Sequence, residues 1–323
     1  MSSSDHDSGK AAFDPTQDFL QKLPEIRPGE QFWFACHPDV PCFNACCSDL
    51  TMPLTPYDVL RLCSGLKMSS EEFFEEFAVV GCYEDTGFPL LHLRMLDAPG
   101  RPCPFVTEQG CGVYEHRSSA CRTYPLGRAT RPEQGQERVQ GQGQPQAQDR
   151  PQNGTKSPAR SREVEDRAPL REEGLASARE LPLVEQYFLV REGHCRGFEE
   201  QKSWTVESWL KDQSIEKYNR MNDRYMRLIA RYKSLSAGAL LSGRHATMAL
   251  LCLYQQDRFA EFIRSVDLFS RLSLQGEHAD RDKDAFKAEI LDDSEARLLF
   301  AFDWLELVLF GASAKLLPAN APA

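Results

Sequence analysis

The residues in this sequence whose type and spacing could do chemistry are its cysteines. Eleven occur in 323 residues, and eight of them fall into groups. Four lie within twelve residues, three follow between residues 103 and 121, and one stands at residue 195. Thiolates are the ligands through which proteins hold zinc and iron-sulfur clusters. Because no export signal is recognised, the thiols are expected to stay reduced, and metal binding becomes the leading hypothesis.

The first group contains a spacing that favours shared ligation. Cys42 and Cys46 are four residues apart, so a helical turn would bring both sulfurs to one face. Cys47 would point about 100° away from Cys46, and an adjacent pair seldom serves one small metal centre. We therefore expect Cys46 and Cys47 to serve different sites, or one of them to lie outside the ligand shell. Eight thiolates could supply two four-ligand sites, as zinc sites or as an iron-sulfur cluster with a second metal.

The identity of the metal stays open at this point. Tetrahedral sulfur suits zinc and iron-sulfur clusters alike, and neither paired CxxC knuckles nor a ferredoxin-type run is present. No ligand spacing pairs cysteine with histidine, which tilts the prediction slightly toward an iron-sulfur cluster.

Charge and hydropathy exclude other classes of function. The formal net charge is -10 and the pI is about 5.3, which argues against nucleic acid as a partner, since a phosphate-binding face needs clustered basic residues. No stretch approaches the roughly 18 apolar residues that cross a bilayer. We expect a soluble, cytoplasmic protein that does not interact with membranes.

The elements that must position the cysteines are short. Thr55, Pro56 and Asp58 form a helix start with a capping box, and the helix is predicted to end at Ser64. A second helix is predicted from residue 69 or 70, with phenylalanines at 73, 74 and 77 on its buried side. Residues 79–83 and 89–96 are predicted to form a hairpin, because Asp85 and Gly87 suit the turn between them.

The rest of the chain divides by composition. Residues 1–28 are predicted to be a flexible arm, and residues 129–180, which are poor in apolar side chains, a disordered insertion. A strand is expected at 187–190. From Thr205, a helix N-cap, the spacing of apolar residues becomes helical, with helices expected around 215–232, 246–254, 259–272 and 294–310 and Asp293 as the last N-cap.

The predicted fold is therefore α+β, with a small loop-rich cysteine-cluster domain followed by an all-α helical domain. The first domain would comprise residues 29–128 and 181–211, with short helices and a hairpin. The second would comprise residues 212–318, and we expect it to bind a protein partner.

Several segments together resemble a known family. They are residues 34–36 (FAC), 42–47 (CFNACC), 54–62 (LTPYDVLRL), 103–106 (CPFV), 111–115 (CGVYE), 121–126 (CRTYPL) and 194–197 (HCRG). In this order they look like the YkgJ-type CxxCxxCC cysteine-cluster family, a zinc- or iron-chelating domain. The resemblance covers residues 31–128 and 183–210. It departs from the family where Cys36 and Cys42 are separated by five residues, and where Arg117 is followed by serine instead of proline.

The resemblance implies a ligand set, matched position by position. The implied ligands are Cys36, Cys42, Cys46, Cys47, Cys103, Cys111, Cys121 and Cys195. The implied cofactor is zinc or an iron-sulfur cluster.

Other polar or thiol side chains have simpler explanations. Cys63, Cys82 and Cys252 are predicted to be packing residues, since a buried cysteine behaves as a small hydrophobe. His37 and His194 flank predicted ligands and are expected to lie outside the ligand shell. Arg122 is expected to position the Cys121 loop by donating hydrogen bonds to thiolates or carbonyls.

Three functions remain compatible with the sequence. The first is a metal-binding protein with a redox, metal-handling or maturation role. The second is a cluster-dependent modifying enzyme, because the flagellin lysine N-methylases resemble this family in carrying a related cysteine motif. The third is a structural metal scaffold for protein interaction. No catalytic residue can be identified, and no GxSxG, Walker or HExxH pattern is present.

Overall fold

The computed structural model describes residues 23–132, 183–236, 238–311 and 313–319. The helices of this part of the chain are α1 (Pro56–Leu66), α2 (Ser70–Phe77), α3 (Ser119–Thr123), α4 (Val206–Asp212), α5 (Glu216–Leu235), α6 (Gly243–Tyr254), α7 (Gln256–Ser265), α8 (Lys283–Asp292) and α9 (Ser294–Phe310). The strands are β1 (Glu25–Ile26), β2 (Phe32–Trp33), β3 (Pro53–Leu54), β4 (Ala78–Cys82), β5 (Pro89–Leu93), β6 (Val106–Thr107), β7 (Gly110–Cys111), β8 (Leu126–Pro132), β9 (Leu183–Leu189), β10 (Ser203–Trp204), β11 (Leu272–Leu274) and β12 (Leu316–Pro318). The predicted α+β fold with a helical C-terminal region is confirmed, but that region is not all-α as predicted, because β11 and β12 pair within it.

Helices α1 and α2 begin where their capping residues predict. The Thr55 side chain accepts from the Asp58 N–H, and the Asp58 carboxylate accepts from the Thr55 N–H. Ser69 and Glu72 form the same box at α2. Helix α1 ends at Leu66 instead of Ser64, because the left-handed Lys67 (φ 55°) lets its N–H bond to the Cys63 carbonyl.

The predicted hairpin is confirmed as β4 and β5. The two strands are antiparallel, with Val80 opposite Leu91, and Leu91 and Leu93 are buried. Strand β3, which was not predicted, pairs with the other edge of β5. Strand β5 ends at Leu93, three residues before the predicted end.

A second three-stranded sheet has the order β1-β9-β8. The ladder between β8 and β9 runs from Leu126 opposite Leu189 to Pro132 opposite Leu183. Most of the predicted insertion, residues 133–180, lies outside the described residues. Residues 129–132 belong instead to β8, because β9 supplies their backbone hydrogen-bond partners.

The predicted flexible arm also needs a correction. Residues 1–22 lie outside the described residues, but Glu25 and Ile26 form β1 and pair with β9. Ile26 is buried against Phe32, Leu126 and Tyr187. Strand β1 has only two residues and buries only one of them, so the sequence contains no alternation of apolar and polar residues that would predict it.

The helical region follows its apolar spacing. Helix α5 buries Tyr218, Tyr225 and Tyr232 on one face, and Asp293 caps α9 as predicted. The helix expected over 259–272 ends at Ser265, because Asp267 is left-handed (φ 44°) and a 3-10 helix follows. Helix α8 was not predicted. No helix among the described residues is long and apolar enough to span a membrane.

The main hydrophobic core is continuous across the predicted boundary between the two domains. One cluster contains Leu54 and Leu91 from the first region together with Tyr225 and Phe302 from the second. The Tyr225 hydroxyl donates to the Pro89 carbonyl at 2.9 Å. The division at residues 211 and 212 stays a prediction, and the packing across it is extensive.

Candidate metal centre

The segment around Cys36 and Cys42 lies against the chain near Cys195. The Ala35 N–H donates to the Gly197 carbonyl at 3.0 Å, and an added Cβ on Gly197 would lie 2.6 Å from the Ala35 carbonyl oxygen. The Arg196 N–H is 3.1 Å from the Cys42 sulfur. The absence of a side chain at Gly197 therefore permits the approach of two segments about 160 residues apart.

Cys46 and Cys47 lie on a 3-10 helix, Ala45–Cys47. The chain turns into this helix at Asn44, which is left-handed (φ 68°) and whose side-chain amide donates to the Thr107 carbonyl at 2.9 Å. The Cys103 N–H donates to the Cys47 carbonyl at 2.7 Å. These bonds hold the first cysteine group against the second.

Backbone N–H groups point toward the sulfurs of the second group. Burial raises the pKa of Cys103 and of Cys111, and the backbone N–H groups of Phe105 and Val106 at Cys103 and of Val113 at Cys111 partly oppose this rise. Strands β6 and β7 form the intervening hairpin, in which Val106 lies opposite Cys111. N–H donors directed at sulfur stabilise a thiolate over a thiol, so the local backbone suits metal ligation.

Cys121 is carried by the short helix α3. Its start is fixed by Asp58, which accepts from the Ser119 N–H at 2.7 Å and from its hydroxyl at 3.0 Å. The buried Arg122 donates to the Gln213 carbonyl at 2.6 Å and to the Glu115 carbonyl at 2.7 Å. These hydrogen bonds support the expectation that Arg122 positions the Cys121 loop, and they go to carbonyl oxygens and not to thiolates.

Mutual electrostatic effects show which thiols are neighbours. Burial, together with the thiolates of Cys46, Cys42 and Cys195, raises the pKa of Cys36 to about 11. Desolvation by the surrounding protein, together with the thiolates of Cys103, Cys111 and Cys46, raises the pKa of Cys121 to about 11. Part of the Cys121 side chain nevertheless remains exposed.

The neighbours form two groups of four. One group contains Cys36, Cys42, Cys46 and Cys195. The other contains Cys47, Cys103, Cys111 and Cys121. Cys46 also acts on Cys103, Cys111 and Cys121, so the two groups are connected through Cys46 and its neighbour Cys47.

Cys46 and Cys47 also interact directly. The Cys47 thiol donates a hydrogen bond to Cys46 and lowers the pKa of Cys46 to about 6. The same hydrogen bond raises the pKa of Cys47 far above its usual value. In the metal-free protein, Cys46 is therefore the anionic partner of this pair at neutral pH.

The thiols are neighbours without forming a coordination shell. Among the described residues, no three His, Cys, Asp or Glu side chains are arranged to hold a metal ion. All eleven cysteines are free of disulfides. The donor set, eight reduced thiols with amide donors aimed at several of the sulfurs, is nevertheless of the chemical type that zinc and iron-sulfur clusters require.

The three remaining cysteines differ from one another. Cys252 is fully buried in the core and Cys63 packs against it, as predicted for packing residues. The prediction for Cys82 is wrong, because Cys82 ends β4 with its side chain exposed.

The flanking histidines lie at the edge of the centre. His194 is half exposed and lies 3.6 Å from Glu192, and its charge helps to lower the pKa of Cys46. His37 lies between Asp39 and Glu200, at 3.7 and 3.5 Å. The site residues that sequence reasoning missed are the amide donors at Phe105, Val106, Val113 and Arg196. Every residue except proline carries such an N–H, so the sequence contains no signal for these donors.

Comparison with known proteins identifies the region that carries this site. Neither curated proteins nor solved structures give a significant match to the chain. Residues 35–144 match the model of the CxxCxxCC family, whose description is "Putative zinc- or iron-chelating domain". Seven of the eight cysteines fall within these residues, and Cys195 lies beyond them. The similarity to the CxxCxxCC family model is thus confined to residues 35–144, the part of the chain that carries most of the grouped cysteines.

Proposed function

We propose that this protein binds zinc or an iron-sulfur cluster through Cys36, Cys42, Cys46, Cys47, Cys103, Cys111, Cys121 and Cys195. The observation that carries the proposal is the convergence of these thiols from four distant segments, with amide donors directed at the sulfurs of Cys42, Cys103 and Cys111. Bringing so many thiols together costs desolvation, which a bound metal would offset.

We further propose two centres, one for each group of four thiols. Adjacent side chains leave the backbone in different directions, which suits Cys46 and Cys47 to different metals. Each group has four sulfurs, the number needed to close a zinc site or to bind a four-iron cluster. Rotation of the thiols would be required to complete either shell.

Metal analysis of the full chain tests the proposal. Anaerobically purified protein is expected to contain zinc, or iron with acid-labile sulfide. A brown protein with absorption near roughly 400 nm that bleaches with dithionite would identify an iron-sulfur cluster. Stoichiometric zinc in a colourless protein would identify zinc sites. Protein that takes up neither metal on reconstitution would contradict the proposal.

Matched cysteine variants test the ligand set. Cys103→Ser and Cys121→Ser are expected to lose metal, whereas Cys63→Ser, a core-packing cysteine outside both groups, should keep it. Cys36→Ser should lose one centre only, with that of Cys103 retained. Equal metal loss in Cys63→Ser and Cys103→Ser would contradict the assignment, and loss of all metal in every variant would contradict two independent centres.

A structural role for the metal is favoured by the shared core. Cys103 and Cys111 pack against the same hydrophobic cluster that includes the long helices α5 and α9. Metal binding would thus also stabilise the helical surface, through which we propose that a protein partner binds. None of the eleven cysteines forms a disulfide, and we propose a reducing, cytoplasmic location in which the thiols would stay reduced. Redox and enzymatic roles remain candidates that the detection of a redox-active cluster would favour.

A further inference from the structure

A cavity of about 250 Å³ lies among helices α1, α2, α6, α7 and α9, and none of the cysteines proposed as metal ligands lines it. A single water needs only roughly 10–15 Å³ on this scale. Polar and reactive side chains contribute to its wall. They include Cys63 and Lys67 on and after α1, Gln256 and Asp257 at the start of α7, and Arg297 on α9.

Arg297 is unusual because it is buried without a carboxylate in direct ion-pair contact, although Asp257, Asp293 and Asp292 stabilise its charge from a greater distance. The residue is 6% exposed. Its Nη1 donates to the carbonyls of Ile290 and Leu291 at the end of α8, at 3.1 and 2.9 Å. Its Nε has no hydrogen-bond partner, and within the described ranges no carboxylate forms an ion pair with it. A buried guanidinium costs free energy unless its charge and donors are satisfied.

A second buried polar group in the same wall is also incompletely satisfied. Gln256 is 6% exposed. Its amide nitrogen donates to the Cys252 carbonyl at 2.6 Å, whereas its Oε1 has no partner. Both residues line the cavity, but the Arg297 Nε and Gln256 Oε1 atoms are themselves buried, so a ligand would reach them only after a side-chain rotation.

The backbone adds positive potential at the same place, although Asp293 already caps α9 and the Ser69–Glu72 box caps α2. Helices α2, α7 and α9 all begin at the cavity, with Ser70, Gln256 and Ser294 in its wall. A helix N-terminus carries a partial positive charge and attracts anions. The one carboxylate in the wall, Asp257, is already engaged, because it accepts from the Ser70 N–H at 2.7 Å and from its hydroxyl at 2.8 Å.

We propose that this cavity binds a small molecule through a carboxylate or phosphate group held by Arg297, with a ligand hydroxyl donating to Gln256. Such an anion would neutralise the buried guanidinium and satisfy its free donor. Lys67, exposed at the rim, would add long-range attraction.

The test uses the full-length protein and two simple probes, inorganic phosphate and glycolate, titrated by calorimetry against sodium chloride of equal ionic strength. Saturable binding of at least one probe is expected, and the tighter probe identifies the anionic group. Arg297→Lys keeps the charge but loses the planar donor set, so we expect at least tenfold weaker binding. Arg264→Lys, at an exposed arginine outside the cavity, should bind as the wild type does.

Cys63 reports where the probe binds. Because Cys63 lines the cavity, a bound anion should slow its alkylation several-fold, as measured by peptide mass mapping, and leave metal content unchanged. The proposal is overturned if neither probe binds saturably, if Arg297→Lys binds as tightly as wild type, or if binding leaves the alkylation rate of Cys63 unchanged.

Discussion

At the scale of single residues, the most distinctive feature is the large difference in pKa among the thiols of one cysteine group. Cys46 carries a pKa lowered to about 6 because Cys47 donates a hydrogen bond to it. The pKa of Cys36 is raised to about 11 by burial and by neighbouring thiolates. The thiols of one cluster should therefore differ strongly in reactivity, since the thiolate is the nucleophile.

We predict that Cys46 is the first of these cysteines to be alkylated in metal-free, reduced protein. Its rate should rise as pH passes through about 6 and then level off, whereas Cys36 should react slowly below pH 9. Cys47→Ala removes the donor, so the midpoint for Cys46 should move upward by more than one pH unit. Tandem mass spectrometry separates the adjacent sites.

Cys82→Ala is the control for this prediction, because Cys82 is exposed on β4. It should leave the profile of Cys46 unchanged. An unshifted midpoint in Cys47→Ala would show that the Cys47 hydrogen bond does not control Cys46.

Arginines that donate to carbonyls provide a second comparison. Arg122 is buried and bonds to the carbonyl of Glu115, which lies between Cys111 and Cys121, and to the carbonyl of Gln213, which follows α4. Arg94 is exposed and bonds to the carbonyls of Glu75, Glu76 and Ala78. We predict that Arg122→Ala lowers the free energy of unfolding by about 2–4 kcal/mol, because buried acceptors lose charged donors, and that Arg94→Ala costs about 1 kcal/mol. Urea denaturation measures both, and equal costs would contradict the role assigned to burial.

At the scale of elements, the cysteine-bearing segments contain little regular structure of their own. They are positioned by the ends of neighbouring helices and strands. Asp58 is the clearest example, because one carboxylate closes the capping box of α1 and also binds Ser119 at the start of α3. The start of α1 thus helps to position Cys121.

The two capping boxes allow this coupling to be measured. Asp58 is fully buried and Glu72 is exposed. We predict that Asp58→Ala lowers the free energy of unfolding by about 2–4 kcal/mol and also reduces metal retention, since both the cap and the Ser119 contacts are lost. Glu72→Ala should cost about 0.5–1 kcal/mol and leave metal content unchanged. Metal loss in both variants would indicate a general effect of stability instead.

At the scale of the whole molecule, the cysteine region and the helices share one hydrophobic core. Tyr57 of α1 also donates to Glu295 of α9 at 3.0 Å, across 238 positions in the sequence. A perturbation at the cysteines should therefore reach the helical region.

We predict that metal removal destabilises both regions together. In Trp304→Phe, the remaining tryptophans 33, 204 and 209 report the cysteine region, while far-ultraviolet circular dichroism reports mainly the helices. Chelation should lower both melting temperatures equally, by at least about 10 °C, since each 1 kcal/mol corresponds to roughly 2–4 °C at this size. Two separate transitions would contradict a single cooperative unit.

The features predictable from the sequence are those that depend on nearby residues. Thr55, Ser69 and Asp293 act within one helical turn, and the spacing of Tyr218, Tyr225 and Tyr232 reflects the helix period itself. The cysteine grouping was equally visible, because thiols are rare and chemically distinct.

Other features depend on which distant segments meet, and local patterns do not encode this. Strand β1 exists because β9 offers it an edge. The two groups of thiols depend on packing between the segments at 36, 103 and 195, and the cavity at Arg297 depends on five helices that converge. Only the tertiary structure decides such contacts, because their free energy arises from burial and hydrogen bonding between residues remote in the chain.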